Sequence, residues 1–237
     1  MQLFYNPNIL DSEKQVTFDK EESKHIVRVL RMKEGDCFKI TNGKGLIFEA
    51  EIISAQPKEC IAQILSQEIL EPMKYHLHLA VAPTKLNDRY EWFLEKATEI
   101  GISEITPLIC DHSERKTIKL ERYEKIIQSA MKQSLKAYIP TLNEVISFTD
   151  FMNSEFPKTM KFIAHCENTD KKSLKSLLTP KKNITILIGP EGDFSPEEIQ
   201  LAKKNGFSPV TLGESRLRTE TAAIVACHSV AFVNELN

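Results

Sequence analysis

Residues 184–199 read ITILIGPEGDFSPEEI, a strand pattern that runs directly into a glycine-containing turn. The segment ITILI is uncharged and rich in isoleucine, which is typical of a strand buried on both faces of a parallel sheet. Within the turn, Gly189 and Gly192 allow positive φ angles and a close approach of the backbone to a ligand, while Pro190 stiffens the bend. Because open α/β sheets bind ligands beyond the carboxyl ends of their strands, this turn is a candidate binding loop.

The end of the same stretch predicts the beginning of a helix. Ser195 suits the N-cap, Pro196 suits the first helical position, and Glu198 completes a capping box. Gly206 predicts the C-terminal end of this helix. Capping of this kind is structural by itself, so whether the turn has a function must be judged from the rest of the sequence.

Strand and helix patterns alternate from residue 75 to the C terminus. The strand patterns are YHLHLAVA, SEITPLIC, KFIAHC, ITILI and PVTLG, and helix patterns lie between them, the first from about Arg89 to Ile100 before Gly101. This alternation predicts an α/β fold whose parallel sheet is covered by helices on both faces. Three loops that follow strands are candidates for ligand binding: HCEN, GPEGDF and GESRLRTE.

The first third of the chain has a different pattern. Short β-type runs, VTF, CFKIT, LIFEAEII and CIAQIL, predict a small β-barrel, and the NGKG turn predicts that CFKIT and LIFEAEII form a hairpin. The segment KEESKHIVRVLRMKEGD predicts one inserted helix, with Ile26, Val29 and Leu30 at helical spacing. We therefore expect two domains, over residues 1–70 and 73–237, joined near Pro72.

The composition constrains the class of protein. The 237 residues carry a formal net charge of -2, so a nucleic acid would have to bind a local basic patch. The five cysteines are scattered and form no CxxC pair, which argues against a disulfide framework or a zinc site. With neither a signal-peptide pattern nor a long apolar run, we expect a soluble protein of the cytoplasm.

A second polar turn, LGESRLRTETAAI at residues 212–224, precedes an apolar helix pattern. Thr219 as an N-cap and Glu220 beside the helix dipole would explain one hydroxyl and one carboxylate. They do not explain Arg216 and Arg218, because cations are unfavourable at a helix N terminus. The two arginines therefore predict a ligand, an acidic partner or a second subunit at this turn.

The two turns together carry a family resemblance. IGPEGDFSPEEI followed by LGESRLRTETAA resembles the C-terminal signature of the RsmE family, the 16S ribosomal RNA (uracil-N3) methyltransferases of the SPOUT superfamily. The motifs HIVRVLRMKEGD, KLNDRYEWFLEKATEIGISEITPL and QSLKAYIP occur in the family's order, so the resemblance extends from near residue 20 to the C terminus. The sequence departs from the family pattern at Asp193, where a glycine is usual, and at Lys132, where an acidic residue is usual.

The resemblance implies a fold and a function. The fold would be a SPOUT-type parallel-sheet domain with a C-terminal trefoil knot, preceded by a PUA-like β-barrel that binds RNA. The function would be transfer of a methyl group from S-adenosylmethionine, without a metal, to N3 of a uridine in 16S ribosomal RNA. The substrate would be free RNA or the small ribosomal subunit, and the enzyme would be a homodimer.

The resemblance also assigns site residues. Arg218 would stabilise negative charge on the uracil, and Glu220 or Glu191 would accept the N3 proton; either carboxylate could instead orient Arg218. The implied cofactor residues come from the three turns: His165, Cys166 and Glu167; Ile188, Gly189, Pro190, Glu191 and Gly192; and Leu212, Gly213, Leu217, Arg218, Thr219 and Ala222.

RNA contacts are expected at basic residues of the first domain. Lys24, Arg28 and Arg31 are spaced to share one helix face, with Lys33 close by, although a charge run can also be no more than a solvated face. The contacts expected in second rank are Lys85, Arg89 and Arg115.

Other features have simpler interpretations. His76 and His78 alternate along a strand pattern without an evident third ligand, which favours a strand over a metal site. Trp92 and Phe93 are expected to pack a helix into the core, and Cys166 to be a small buried residue and not a nucleophile. Two rival functions remain open: a non-catalytic RNA-binding factor and a nucleotide-binding α/β enzyme.

Overall fold

The computed structural model describes residues 2–156, 158–168 and 170–235. The chain forms two compact units. The first comprises Met1–Pro72 and Met131–Ile139, and the second comprises Met73–Ala130 and Pro140–Asn237. Within the described part of the chain, no helix has both the length and the apolar character that crossing a membrane requires.

The segment Met131–Ile139 lies in the first unit, whereas the sequence pattern grouped it with the second domain. Backbone hydrogen bonds are the reason. Gly45 N–H donates to the carbonyl of Ala137 over 3.0 Å, and Ile139 N–H donates to the carbonyl of Gly43 over 2.9 Å. Such pairing between distant parts of a chain leaves no periodic pattern in the sequence.

The first unit is a β-sheet with one short helix. Its strands are β1 (Leu3–Tyr5), β2 (Gln15–Thr17), β3 (Cys37–Thr41), β4 (Leu46–Gln56) and β5 (Glu59–Ile69), and its helix is α1 (Lys20–Lys24). The described strands pair in the order β1-β3-β4-β5-β2. The predicted hairpin is confirmed, since β3 and β4 are antiparallel. Phe4, Phe18 and Phe38 pack together in the core.

A π-helical turn, His25–Val29, follows α1, so the inserted segment is not one regular α-helix as the sequence predicted. Leu30 N–H donates to the carbonyl of His25 five residues earlier, which is the π-helical pattern. The wider turn shifts the helical positions, so Ile26 is buried but Val29 is 64% exposed. Arg31 then leaves the helix with a φ of 55°. The helical spacing of Ile26 and Val29 therefore does not place both side chains in the core.

The second unit has an α/β pattern. Its strands are β6 (Leu77–Val81), β7 (Glu104–Ile109), β8 (Thr141–Leu142), β9 (Ile146–Ser147), β10 (Met160–Ala164), β11 (Lys172–Ser173), β12 (Ile184–Ile188) and β13 (Ser208–Thr211). Its helices are α2 (Asn87–Ile100), α3 (Leu120–Gln133, which continues into the first unit), α4 (Phe148–Met152), α5 (Leu174–Leu177), α6 (Pro196–Lys204) and α7 (Thr219–Glu235).

The sheet of the second unit is parallel, as predicted. Its described strands follow the order β11-β13-β10-β12-β6-β7-β8, and β9 pairs with β7. Every residue of the central strand β12 is buried. Helix α7 packs against α2, β6 and β12. In α2 the packing differs from our expectation: Phe93 is buried, but Trp92 is 44% exposed because it lies on the outer side of the helix.

Candidate active site

Three loops meet at one edge of the parallel sheet. They follow β10, β12 and β13, which are neighbours in the order β13-β10-β12. Because the strands run in the same direction, the loops HCEN, GPEGDF and GESRLRTE all leave from the carboxyl edge. The three candidate loops identified in the sequence are therefore adjacent in space, where open α/β sheets bind ligands.

Two adjoining cavities lie among these loops, with volumes of about 270 Å³ and about 580 Å³. Both are lined by Ala164, Cys166, Asp193, Arg216, Leu217 and Ala222. The smaller is also lined by Ile188, Gly189, Pro190, Glu191, Arg218 and Thr219. The larger is also lined by His165, Lys171, Val210, Thr211, Leu212, Gly213, Glu214 and Ser215.

Most of the cofactor residues implied by the resemblance lie on these walls. Glu167 and Gly192 are the exceptions. The sequence interpretation missed Lys171, whose Nζ donates to the carbonyls of His165 over 2.7 Å and Glu167 over 2.6 Å. No motif marks Lys171, because its role depends on how the chain after β10 folds back. Asp193 was seen only as a departure from the family pattern.

The backbone of the GPEGDF loop differs from the prediction. In this described loop, positive φ occurs at Asp193, with φ 64°, and at neither glycine. Close packing explains the glycines instead. A Cβ at Gly189 would lie 3.1 Å from the ring of Phe194, and one at Gly192 would lie 2.9 Å from Cβ of His112.

The carboxylate of Asp193 joins two of the loops. Its Oδ2 accepts a hydrogen bond from the backbone N–H of Cys166 over 2.6 Å. Its Oδ1 accepts one from the backbone N–H of Phe194 over 2.9 Å. The HCEN loop and the GPEGDF loop are therefore connected through one side chain. Cys166 itself is exposed, contrary to our expectation, because it lies at the open wall of the cavities.

Helix α6 begins as predicted. The Ser195 side chain accepts from Glu198 N–H, and the Glu198 carboxylate accepts from Ser195 N–H, which completes the capping box. The same pair also holds the loop after β7: Ser195 Oγ donates to Asp111 Oδ2 over 2.7 Å, and Glu198 Oε1 accepts from Asp111 N–H over 3.0 Å. Burial raises the pKa of Glu198 above its usual value.

The start of α7 differs from the predicted cap. Thr219 is the first residue of the helix, and its Oγ1 donates to the carbonyl of Gly189 over 3.0 Å. The hydroxyl therefore links α7 to the GPEGDF loop and does not cap the helix. This bond connects the GPEGDF loop to the GESRLRTE loop, just as Asp193 connects the HCEN loop to the GPEGDF loop.

Not all of the three predicted catalytic residues lie at the cavities. Arg218 is exposed at the wall of the smaller cavity. Glu191 lies on the same wall, where its Oε1 accepts from Lys85 N–H over 3.0 Å. Glu220 is buried beside Arg89, with 3.9 Å between Oε1 and Nε, and lines neither cavity. Of the two predicted carboxylates, Glu191 is therefore the one at the cavity wall.

His165 is a buried polar group without an internal partner. Its side chain lies in the wall of the larger cavity and the residue is 6% exposed. Among the described residues, neither ring nitrogen has a hydrogen-bond partner. Burial, with a smaller effect of nearby Lys171, lowers the pKa of His165. A neutral imidazole that lacks a partner is suited to hydrogen bond with a polar ligand.

The residues predicted to contact RNA fall into two groups. Those of the first unit, Lys24, Arg28, Arg31 and Lys33, are all exposed. Those of the second unit already have partners, since Lys85 pairs with Glu114 over 2.8 Å and Arg89 lies beside Glu220. Arg115 donates to the backbone carbonyls of Thr84 and Lys85, over 3.0 and 2.9 Å, and so braces the loop after β6.

His78 in β6 and His76, which directly precedes this strand, take part in a polar cluster. His76 and His78 lie 3.5 and 3.7 Å from the carboxylate of Glu104, and His78 also hydrogen bonds to Thr106. Burial lowers the pKa of His78. In the part of the chain that the structure describes, no group of three or more potential ligands is arranged to hold a metal ion.

Comparison with known proteins identifies the family. Residues 71–231 match the model of the RNA methyltransferase domain, and residues 18–65 match that of the RNA methyltransferase PUA domain. Ribosomal RNA small subunit methyltransferase E of Buchnera aphidicola is 36% identical over 221 residues, which cover 90% of this chain and 86% of that protein.

Solved structures agree with this. A probable rRNA methyltransferase of Porphyromonas gingivalis has a TM-score of 0.91 and 40% identity, covering 100% of this chain and 99% of that one. Ribosomal RNA small subunit methyltransferase E of Neisseria gonorrhoeae, bound to S-adenosylmethionine, has a TM-score of 0.88 and 27% identity, covering 99% and 98%. The chain is an RNA methyltransferase that belongs to the ribosomal RNA small subunit methyltransferase E family.

Proposed function

We propose that this protein transfers a methyl group from S-adenosylmethionine to N3 of a uridine in 16S ribosomal RNA. The observation that carries the proposal is the pair of adjoining cavities at the carboxyl edge of β10, β12 and β13, with Arg216 and Arg218 on their walls. A relative of the same family binds S-adenosylmethionine. The position N3 comes from the family resemblance of the motifs.

The residues of the cavities fit this cofactor. Apolar side chains of Ile188, Leu217 and Ala222 offer contact to an adenine ring, and exposed loop backbone offers donors and acceptors for its edge. The ring nitrogens of His165 lack partners, which a polar ligand would supply. When bound, the cofactor supplies an electrophilic methyl group on a sulfonium. The three loops would hold it in place, so that much of the rate enhancement would come from orientation.

The chemistry at uracil N3 requires loss of a proton and stabilisation of the resulting charge. Arg218 is the group that we assign to the negative charge on the uracil oxygens, because it is a cation at the wall of the smaller cavity. Glu191, on the same wall, is our candidate for the proton acceptor. Its hydrogen bond from Lys85 N–H uses Oε1 and leaves Oε2 for this role.

The RNA would bind the first unit through its exposed cations, Lys24, Arg28, Arg31 and Lys33. A homodimer is supported by exposed aromatic side chains on two helices that pack together: Trp92 of α2 is 44% exposed and Phe232 of α7 is 51% exposed. Because its proposed substrate is ribosomal RNA, we propose that the enzyme acts in the cytoplasm.

The test is a methyl-transfer assay with labelled S-adenosylmethionine. The acceptors are small ribosomal subunits and naked 16S RNA from cells that lack the enzyme, followed by nucleoside analysis. We expect the label in N3-methyluridine, and the same acceptors from cells that contain the enzyme serve as the control, because their site is already methylated. RNA binding without label would favour a non-catalytic factor, and competition by NAD or ATP would favour a nucleotide-binding enzyme.

A further inference from the structure

Asp193 occupies a backbone position that is unfavourable for its residue type. Its φ of 64° lies in the left-handed region, which glycine adopts without strain and which most other residues avoid. Aspartate tolerates this region better than most residues, because its short polar side chain can hydrogen bond locally. The Oδ1 contact with Phe194 N–H is such a local bond. A residual backbone cost at a ligand-binding loop suggests that the side chain has a function.

The second carboxylate oxygen reaches another loop. Oδ2 accepts from Cys166 N–H over 2.6 Å, a short distance typical of a charge-assisted hydrogen bond. The same loop is also held by Lys171, which donates to the carbonyls of His165 and Glu167. Asp193 and Lys171 thus both hold the HCEN loop, which forms part of both cavity walls.

The side chain also brings a negative charge to the shared wall. Asp193 lines both cavities, as does Arg216, and Arg218 lines the smaller one. A sulfonium cation bound among these groups would be repelled by the arginines. Glu191 is a further carboxylate at the smaller cavity and Glu214 one at the larger cavity, but Asp193 is the carboxylate that lines both. Asp193 therefore offsets the arginines where the two cavities join.

We propose that Asp193 is a positioning and specificity residue: it ties the HCEN loop to the GPEGDF loop, and its charge favours S-adenosylmethionine over the product S-adenosylhomocysteine. The inference rests on the proposed cofactor site. The two ligands share the adenosine and the amino-acid group, and differ by the methyl group and one positive charge on sulfur. A nearby carboxylate stabilises the sulfonium but gives a neutral thioether no such attraction.

Two substitutions distinguish the effect of the hydrogen bond between the loops from the effect of the Asp193 charge. Asp193→Asn tolerates positive φ and removes the charge; its single carbonyl oxygen can accept from Cys166 N–H and so keep the link to the HCEN loop, while the local bond from Phe194 N–H is lost. Asp193→Gly suits the φ angle and removes both the charge and the hydrogen bond to the HCEN loop. Glu197→Gln is the matched control, because Glu197 is an exposed carboxylate of α6 that lines neither cavity.

The measurement is calorimetric titration of each protein with S-adenosylmethionine and with S-adenosylhomocysteine, without RNA. For Asp193→Asn we expect the ratio of the two dissociation constants to shift against S-adenosylmethionine by roughly three- to tenfold, from loss of a partly screened charge interaction. For Asp193→Gly we expect the same shift in the ratio and weaker binding of both ligands. Glu197→Gln should retain the wild-type ratio.

An unchanged ratio in Asp193→Asn would overturn the proposal, even if both affinities fell equally. Wild-type protein that bound neither ligand would overturn both this inference and the proposed cofactor site. Wild-type binding of both ligands without methylation of uridine N3 would contradict only the proposed reaction. Thermal unfolding of each variant confirms that it is folded before its affinities are compared.

Discussion

Arg218 is the residue whose charge we expect to matter most for the reaction. Replacing it with alanine removes a cation from the wall of the smaller cavity. We expect kcat to fall by about 100-fold or more, as for loss of a group that stabilises transition-state charge. Steady-state kinetics checks this. Arg218→Lys should recover part of the activity, and an unchanged kcat in Arg218→Ala would contradict the assigned role.

His165 predicts how stability changes with pH. Because burial lowers its pKa in the folded protein, the unfolded chain takes up a proton first as the pH falls below about 6.5. The stabilisation from neutral His165 is therefore complete above that pH and is lost as the pH falls towards its folded pKa. Urea unfolding between pH 8 and 5 should show a smaller acid-induced loss of stability in His165→Phe than in wild type. Equal losses in the two proteins would rule out this contribution.

At the scale of a single element, the capping box of α6 makes a measurable prediction. Ser195→Ala removes the acceptor for Glu198 N–H and the donor to Asp111, so the free energy of unfolding should fall by about 1 to 2 kcal/mol. Ser173→Ala is the matched control, because Ser173 is the N-cap of α5 but its side chain makes no cap hydrogen bond. Equal effects of the two substitutions in urea unfolding would show that the capping box is not the cause.

Two elements show where short-range sequence patterns are enough to predict the structure and where they are not. Ser195, Pro196 and Glu198 predict the start of α6 because the capping interactions lie within four residues. The π-helical turn after α1 was not predicted, since a single i→i+5 turn has the same apolar spacing as an ordinary helix end. Its consequence, the exposed Val29, therefore appeared only in the structure.

At the scale of the whole molecule, the proposed homodimer can be tested through α7. Phe232→Glu places a charge on an aromatic position that is 51% exposed, so we expect the dimer dissociation constant to rise by about 30-fold or more if this face is central to the interface. Sedimentation velocity over a range of concentrations measures the change. Leu65→Glu is the control, because Leu65 is 52% exposed but lies in β5 of the first unit. Unchanged self-association in Phe232→Glu would exclude this face.

The sequence by itself determined the α/β class, the β-rich first part, the three candidate loops and the family, because strand and helix periodicity, turn residues and ordered motifs are local. The trefoil knot implied by the resemblance stays a prediction. Only the tertiary structure decided that Asp193 takes the left-handed position and that Thr219 bonds to Gly189. It also decided that Glu220 faces Arg89. Each of these depends on contacts between residues far apart in the chain, which local propensity does not encode.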